Sequence, residues 1–139
     1  MSTVAPPKLM TIEEWLALPD DGMERDLIRG VLQEKPMTRR NRYHSSTEAN
    51  IACLLNNWRI RQSEPRGRVL SGEAGFILTR NPDSGVGIDV AYISPETAGR
   101  QSDKVTSMVD GVPVLAVEVL SPNDTTKEVH DKIPEDLAA

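Results

Sequence analysis

Two seven-residue stretches of this chain, Gly87–Ile93 and Val114–Leu120, are apolar at nearly every position, and each contains one carboxylate, Asp89 and Glu118. Side chains alternate between the faces of a strand, so Asp89, Ala91 and Ile93 share one face and Ile88, Val90 and Tyr92 the other. Neither face is polar. In the second stretch Val114, Ala116, Glu118 and Leu120 oppose Leu115, Val117 and Val119, again with apolar residues on both sides. Strands of this type are expected to be covered on both faces, which places both carboxylates inside. Burying a carboxylate is costly unless it is paired, hydrogen-bonded or holding a metal ion.

The remaining pattern predicts helix, hairpin, helix, three strands and a final helix. Thr11-Ile12-Glu13-Glu14 is a capping box opening a short helix to about Leu18, with Ile12, Trp15, Leu16 and Leu18 as its apolar side. Asp26-Leu27-Ile28 and Val31-Leu32-Gln33 flank Arg29-Gly30, a hairpin in which the glycine supplies a positive φ. A helix is expected from His44 to about Gln62, capped by Ser45 or Ser46. Its apolar positions Ile51, Leu54, Leu55 and Trp58 recur at helical spacing, and Cys53 is expected to be a packed thiol beside them. Val69-Leu70 and Ala74–Leu78 read as strand before the Asp89 and Glu118 strands. Residues 94–112 read as a long connection, partly helical after Ser94-Pro95. A second capping box, Thr125–Glu128, opens a terminal helix carrying Lys132. This order suits an α/β fold with a central mixed β-sheet flanked by helices. Residues 1–10 are expected to form a flexible arm, and residues 11–139 one domain.

Charge adds one feature. The net charge of −5 divides into −4 over residues 1–24, +6 over 25–68 and −7 over 69–139. The basic middle third suits a nucleic-acid face, and equally the solvated side of a helix and its loops. The single cysteine permits no intrachain disulfide, and no apolar run approaches the roughly 20 residues that span a bilayer. A cytoplasmic location is the expectation.

Oxygen ligands on adjacent strands suit a hard divalent cation, Mg²⁺ or Mn²⁺. Asp89 and Glu118 supply the carboxylates, the Val119 carbonyl is a candidate third ligand, and Lys132, Lys127 and Asp26 are candidates to complete such a site. The alternative at this level is that the acids are paired with arginines.

Thr11–Leu16, Asp26–Gly30, His44 at a helix start, Ile88–Ile93 and Val117–Asp124 together resemble the successive motifs of the Uma-two family. Its members are restriction-endonuclease-like proteins of the PD-(D/E)xK nuclease superfamily. The resemblance spans nearly the whole chain, and its most specific piece is Glu118-Val119-Leu120-Ser121-Pro122. It implies a restriction-endonuclease-like α/β core in which Asp89 and Glu118 are the acidic metal-binding positions. Leu120 stands where the superfamily lysine would follow the glutamate, so the resemblance assigns that role to Lys132 on the next helix. Asp26 stands where relatives carry glutamate, and Gly87-Ile88 where they carry a proline. Pro134 falls inside the expected terminal helix, where a proline costs roughly 3 kcal/mol. The family continues past this helix, so the core is expected to lack its C-terminal strands, leaving a sheet edge that suits a homodimer.

The function implied is Mg²⁺-dependent (or Mn²⁺-dependent) endonucleolytic hydrolysis of nucleic acid, with DNA as the expected partner. Asp89, Glu118, Lys132 and Asp26 are the expected catalytic residues. Arg39, Arg40, Arg42, His44, Arg59 and Arg61 are expected to contact nucleic acid, and Arg66 and Arg68 extend that basic segment. For His44, phosphate contact, proton transfer and helix capping all remain open. The rival reading is a catalytically inactive relative of the same fold, acting as a DNA-binding or protein-interaction module.

Overall fold

The structure, a computed structural model, describes residues 4–101 and 107–121. Its centre is a six-stranded mixed sheet: β1 (Met23–Ile28), β2 (Val31–Pro36), β3 (Arg68–Thr79), β4 (Ser84–Ile93), β5 (Val109–Asp110) and β6 (Leu115–Val117). The strand order is β2-β1-β4-β3-β5, with β6 also paired to β4. All pairings are antiparallel except β3 with β5. Helices α1 (Ile12–Leu16), α2 (Arg42–Arg59) and α3 (Pro95–Gly99) complete the described fold. The α/β class with a mixed sheet is therefore as expected.

Strand β4 is the axis of the molecule. One edge pairs with β3 along most of its length. The other edge is shared: β1 meets it at Gly85 and β6 at Val90–Tyr92. Val86, Ile88, Val90 and Ala91 are fully buried, which matches the two-faced apolar pattern. Phe76, Leu78 and Val109 join Val86, Ile88, Ala91 and Ile93 in the main core.

A smaller cluster of Ile12, Leu27 and Ile77, with Met10 and Trp15 against it, closes the α1 end. Thr11 caps α1 by accepting from the Glu14 amide at 3.2 Å. The hairpin turn has positive φ at both Arg29 (48°) and Gly30 (77°). That is the two-residue turn whose twist matches the strands, although the sequence suggested only the glycine. The turn is braced from outside: Ser84 Oγ accepts from the Arg29 amide, and the Asp83 carbonyl accepts from the Gly30 amide. The Asp83 side chain adds two more bonds, accepting from Ile12 N at 2.8 Å and Asn81 N at 3.0 Å. One aspartate thus links the first helix, the hairpin turn and the β3–β4 connection.

The two predicted segments Val69-Leu70 and Ala74–Leu78 are one strand interrupted by a bulge. Ser71 lies opposite Val90 and Ala74 opposite Ile88, so Gly72 and Glu73 together face the single residue Asp89. Both bulge residues have positive φ, 81° and 58°. A bulge re-aims side chains and is often found beside functional sites.

Three expectations need correction. Helix α2 begins at Arg42, because Asn41 rather than Ser45 or Ser46 is its cap, accepting from the His44 amide at 2.8 Å. The face that α2 turns inward carries His44, Glu48, Ile51, Ala52, Leu55 and Arg59, rotated from the apolar stripe. Leu54 and Trp58 are consequently 68% and 45% exposed, and Cys53 is exposed instead of packed. Trp58 still makes an edge-to-face contact with Tyr92, with ring centroids 5.1 Å apart. Lastly, the strand expected over residues 114–120 shortens to Leu115–Val117, with Val114 and Leu115 exposed and Glu118 half-buried just past its end. The two-residue β5 was hidden within the long connection.

Candidate metal centre

The face of α2 nearest the sheet starts with two polar residues four positions apart, His44 and Glu48. Side chains at this spacing lie one above the other on a helix. His44 is the only residue of α2 that is fully buried. Its imidazole reaches Asp89 of β4: Nε2 is 3.4 Å from Asp89 Oδ2, and Nδ1 is 3.6 Å from Glu48 Oε2. Both separations are too long for good hydrogen bonds. Among the described residues, neither ring nitrogen of His44 has a hydrogen-bond partner, and neither does Asp89 Oδ1, although all three atoms are buried.

Each carboxylate is fixed by its other contacts. Asp89 Oδ2 accepts from the Val119 amide at 2.8 Å. Glu48 Oε1 accepts a short bond from the Gly72 amide, so the bulge opposite Asp89 supplies the donor that positions Glu48. Hydrogen bonds from backbone amides to a carboxylate are charge-assisted and orient it firmly.

The β4–β6 register, carried one residue beyond β6, places Glu118 opposite Asp89. Oε1 of Glu118 is buried. Val119, whose carbonyl is a candidate ligand, donates its amide to Asp89 Oδ2.

Asp26 sits on β1 at the gap between β1 and β6 along the shared edge of β4. There the Gly87 amide donates to Asp26 Oδ1 at 3.2 Å. Its carboxylate takes the place of a missing strand carbonyl. Lys132 and Lys127 lie outside the described residues.

The donor set fits a divalent cation on three grounds. One ligand atom from each of His44, Glu48 and Asp89 can be chosen so that all lie within 4.8 Å of one another. Ligands about 2.1 Å from a common ion are separated by about 3–4.2 Å, a range that includes the 3.4 Å between His44 and Asp89. Among the described residues the His44 nitrogens and Asp89 Oδ1 have no hydrogen-bond partner, so one imidazole nitrogen and Oδ1 are open to an ion.

Glu48 was not singled out from the sequence. The available signal was its position four residues after a histidine on one helical face. The bulge residue Glu73 was also missed; it lies 3.5 Å from the position a Cβ on Gly87 would occupy.

The basic residues divide by environment. Arg40 is half-buried between Glu24, at 3.4 Å, and Glu73, with which it makes a short contact. Arg39, Arg42 and Arg61 are exposed, with Arg42 stacked over the Tyr43 ring. Arg59 donates from Nε to Asn56 Oδ1 at 3.0 Å.

A family model, Uma2, described as "Putative restriction endonuclease", matches residues 12–135. Among solved structures, the chain is similar to one titled a "putative nuclease belonging to DUF820 from Anabaena variabilis ATCC 29413". The TM-score is 0.69 and the identity 20%, over 93% of this chain and 68% of that one. At that identity the similarity concerns the fold. No curated protein matches the chain.

Proposed function

This chain belongs to the Uma2 family of restriction-endonuclease-like proteins, and from that premise we propose that it is a divalent-metal-dependent nuclease cutting the phosphodiester backbone of DNA. The observation that carries the reading is the buried His44–Glu48–Asp89 group, with three polar atoms lacking partners among the described residues. These residues, joined by Glu118, would hold the ion. When bound, a divalent cation stabilises charge on phosphoryl oxygens and makes a neighbouring water more acidic.

The chain's own residues do the rest. Asp89 and Glu48 are held by backbone amides, so their geometry is set before substrate arrives. Asp26 keeps the gap between β1 and β6 open by satisfying Gly87, which favours an assisting role for it. Lys132, from the family resemblance, orients the attacking water. In hydrolysis the water oxygen bonds to phosphorus, the bridging P–O bond breaks, and the water's proton ends on the departing oxygen. Arg39, Arg42, Arg59 and Arg61 steer the phosphate backbone, giving binding that falls steeply with salt.

A histidine nitrogen in the ligand set shifts the expected ion. Imidazole suits first-row transition metals such as Fe²⁺ and Zn²⁺ better than hard cations. Of the two cations considered, Mn²⁺, itself a transition metal, accepts a nitrogen ligand more readily than Mg²⁺. Mn²⁺ is the preferred cation on this reading.

The test is cleavage of single- and double-stranded DNA with Mg²⁺ or Mn²⁺, comparing wild type with Asp89→Ala, Glu118→Ala and Glu48→Ala. Loss of cutting in the folded variants supports the site. Equal cutting by all four proteins overturns it.

A further inference from the structure

At the end of α2 remote from His44, a cavity of about 400 Å³ opens between the helix, the loop leading into β3, and α3. Three guanidinium groups line it, from Arg59, Arg66 and Arg68, against one carboxylate, Glu64. Glu64 is already committed: its Oε1 lies 2.6 Å from Arg66 Nη1, while Arg66 Nε donates to the Gln62 carbonyl at 2.9 Å. Arg66 is thereby fixed in place and largely neutralised. Arg59 is oriented through Nε by Asn56, which leaves its terminal nitrogens for another acceptor. Among the described residues neither Arg59 nor Arg68 has an acidic partner.

The loop is built to stay close. A Cβ at Gly67 would collide with the Ile93 carbonyl and the Tyr92 hydroxyl, so only glycine allows this chain segment to lie against the end of β4. The cavity is consequently tied to the strand that carries Asp89. Arg68 is paired with Ile93, four residues along β4 from Asp89, or about 13 Å at the usual strand rise.

Resting on the nuclease reading above, we propose that this cavity is a phosphate-anchoring subsite that grips a nucleic-acid strand about 13 Å from the point of cutting. Two guanidinium groups without acidic partners match the charge and the multiple acceptor oxygens of a phosphate, which arginine binds in paired geometry. The same chemistry serves a terminal 5′-phosphate or an internal phosphodiester.

The experiment measures binding without cutting. Wild type in EDTA is titrated with a short fluorescent oligonucleotide bearing either a 5′-phosphate or a 5′-hydroxyl, beside Arg59→Gln, Arg68→Gln and the double variant, with Lys8→Gln as a control for bulk charge. The double variant is expected to bind about tenfold more weakly, with the salt slope reduced by about one, while Lys8→Gln stays near wild type. A preference for the 5′-phosphorylated strand that disappears in the double variant identifies a terminal phosphate. Equal weakening for both strands identifies an internal one. Inorganic phosphate titrated into wild type should shift the NMR amide signals of Gly67 and Val69, a readout needing no variant. Unchanged affinity and salt slope in the double variant, together with silent Gly67 and Val69 signals, would overturn the subsite. Since no ion or cleavage enters these measurements, a failed nuclease assay leaves this result separately readable.

Discussion

Replacing Asp83 with alanine removes the side-chain acceptor that ties α1 to the β3–β4 connection, while the backbone carbonyl that receives the Gly30 amide remains. The Ile12 amide, donated at 2.8 Å, belongs to a residue only 1% exposed, and in the variant it would lose its charged partner with little access to water. A hydrogen bond to a charged group contributes about 1.5–3 kcal/mol. The Asn81 amide belongs to an exposed residue, so water replaces much of its bond and about 0.5–1 kcal/mol is lost there. The total is about 2–4 kcal/mol, a large share of the 5–15 kcal/mol typical of a domain. For a chain of this size that corresponds to roughly 6–12 °C in Tm. Urea denaturation at pH 7 measures it directly.

The dependence on pH follows from the same bonds. The Ile12 amide, followed by Asn81 and Arg80, holds the Asp83 carboxyl below its ordinary value. The stabilisation is fully present above the unfolded chain's value, about 3.9, and is lost as pH falls through the lower folded value. Wild type and Asp83→Ala should therefore converge in strong acid. A difference under about 0.5 kcal/mol at neutral pH, within the range of an ordinary surface substitution, would refute the reasoning. So would a large gap that survives unchanged when the carboxyl is protonated.

Mn²⁺ at a hundredfold excess over its dissociation constant should stabilise wild type by about 2.7 kcal/mol, read as a rise in Tm; Mg²⁺ should do less, and His44→Ala should erase the difference between the ions. Gly72→Ala forces a side chain into positive φ, costing about 1 kcal/mol, and should blunt the Mn²⁺ response by moving the amide that holds Glu48. Gly85→Ala drives a methyl into the Trp15 ring and should cost about 1–3 kcal/mol. Gly87→Ala meets only atoms of Glu73 at 3.5 Å or beyond, so its melting temperature should stay near that of wild type.

The buried β4 strand and its carboxylate were legible because period-two alternation left no polar face for Asp89. The pause between Leu70 and Ala74 was legible as a break but not as a bulge, since a bulge depends on what lies across the ladder. Helix α2 was found by its period, yet its inward face was misjudged: Leu54 and Trp58 marked an apolar side, while the sheet receives His44 and Glu48. Hydrophobicity cannot signal a helix that turns polar groups inward. Asp83 resembled any turn aspartate, because its partner Ile12 is 71 residues away. Sequence order likewise hides β5, only two residues long and parallel to a strand some thirty residues earlier.

The gap on the shared edge of β4 also provides two reporters within the backbone. The amides of Gly87 and Val119 are donated to carboxylates, Asp26 and Asp89, instead of to the carbonyl of a neighbouring strand. Any event that draws charge from those carboxylates should register first in these two protons. Their chemical shifts and exchange rates can follow the centre directly, with no label, substrate or catalytic turnover.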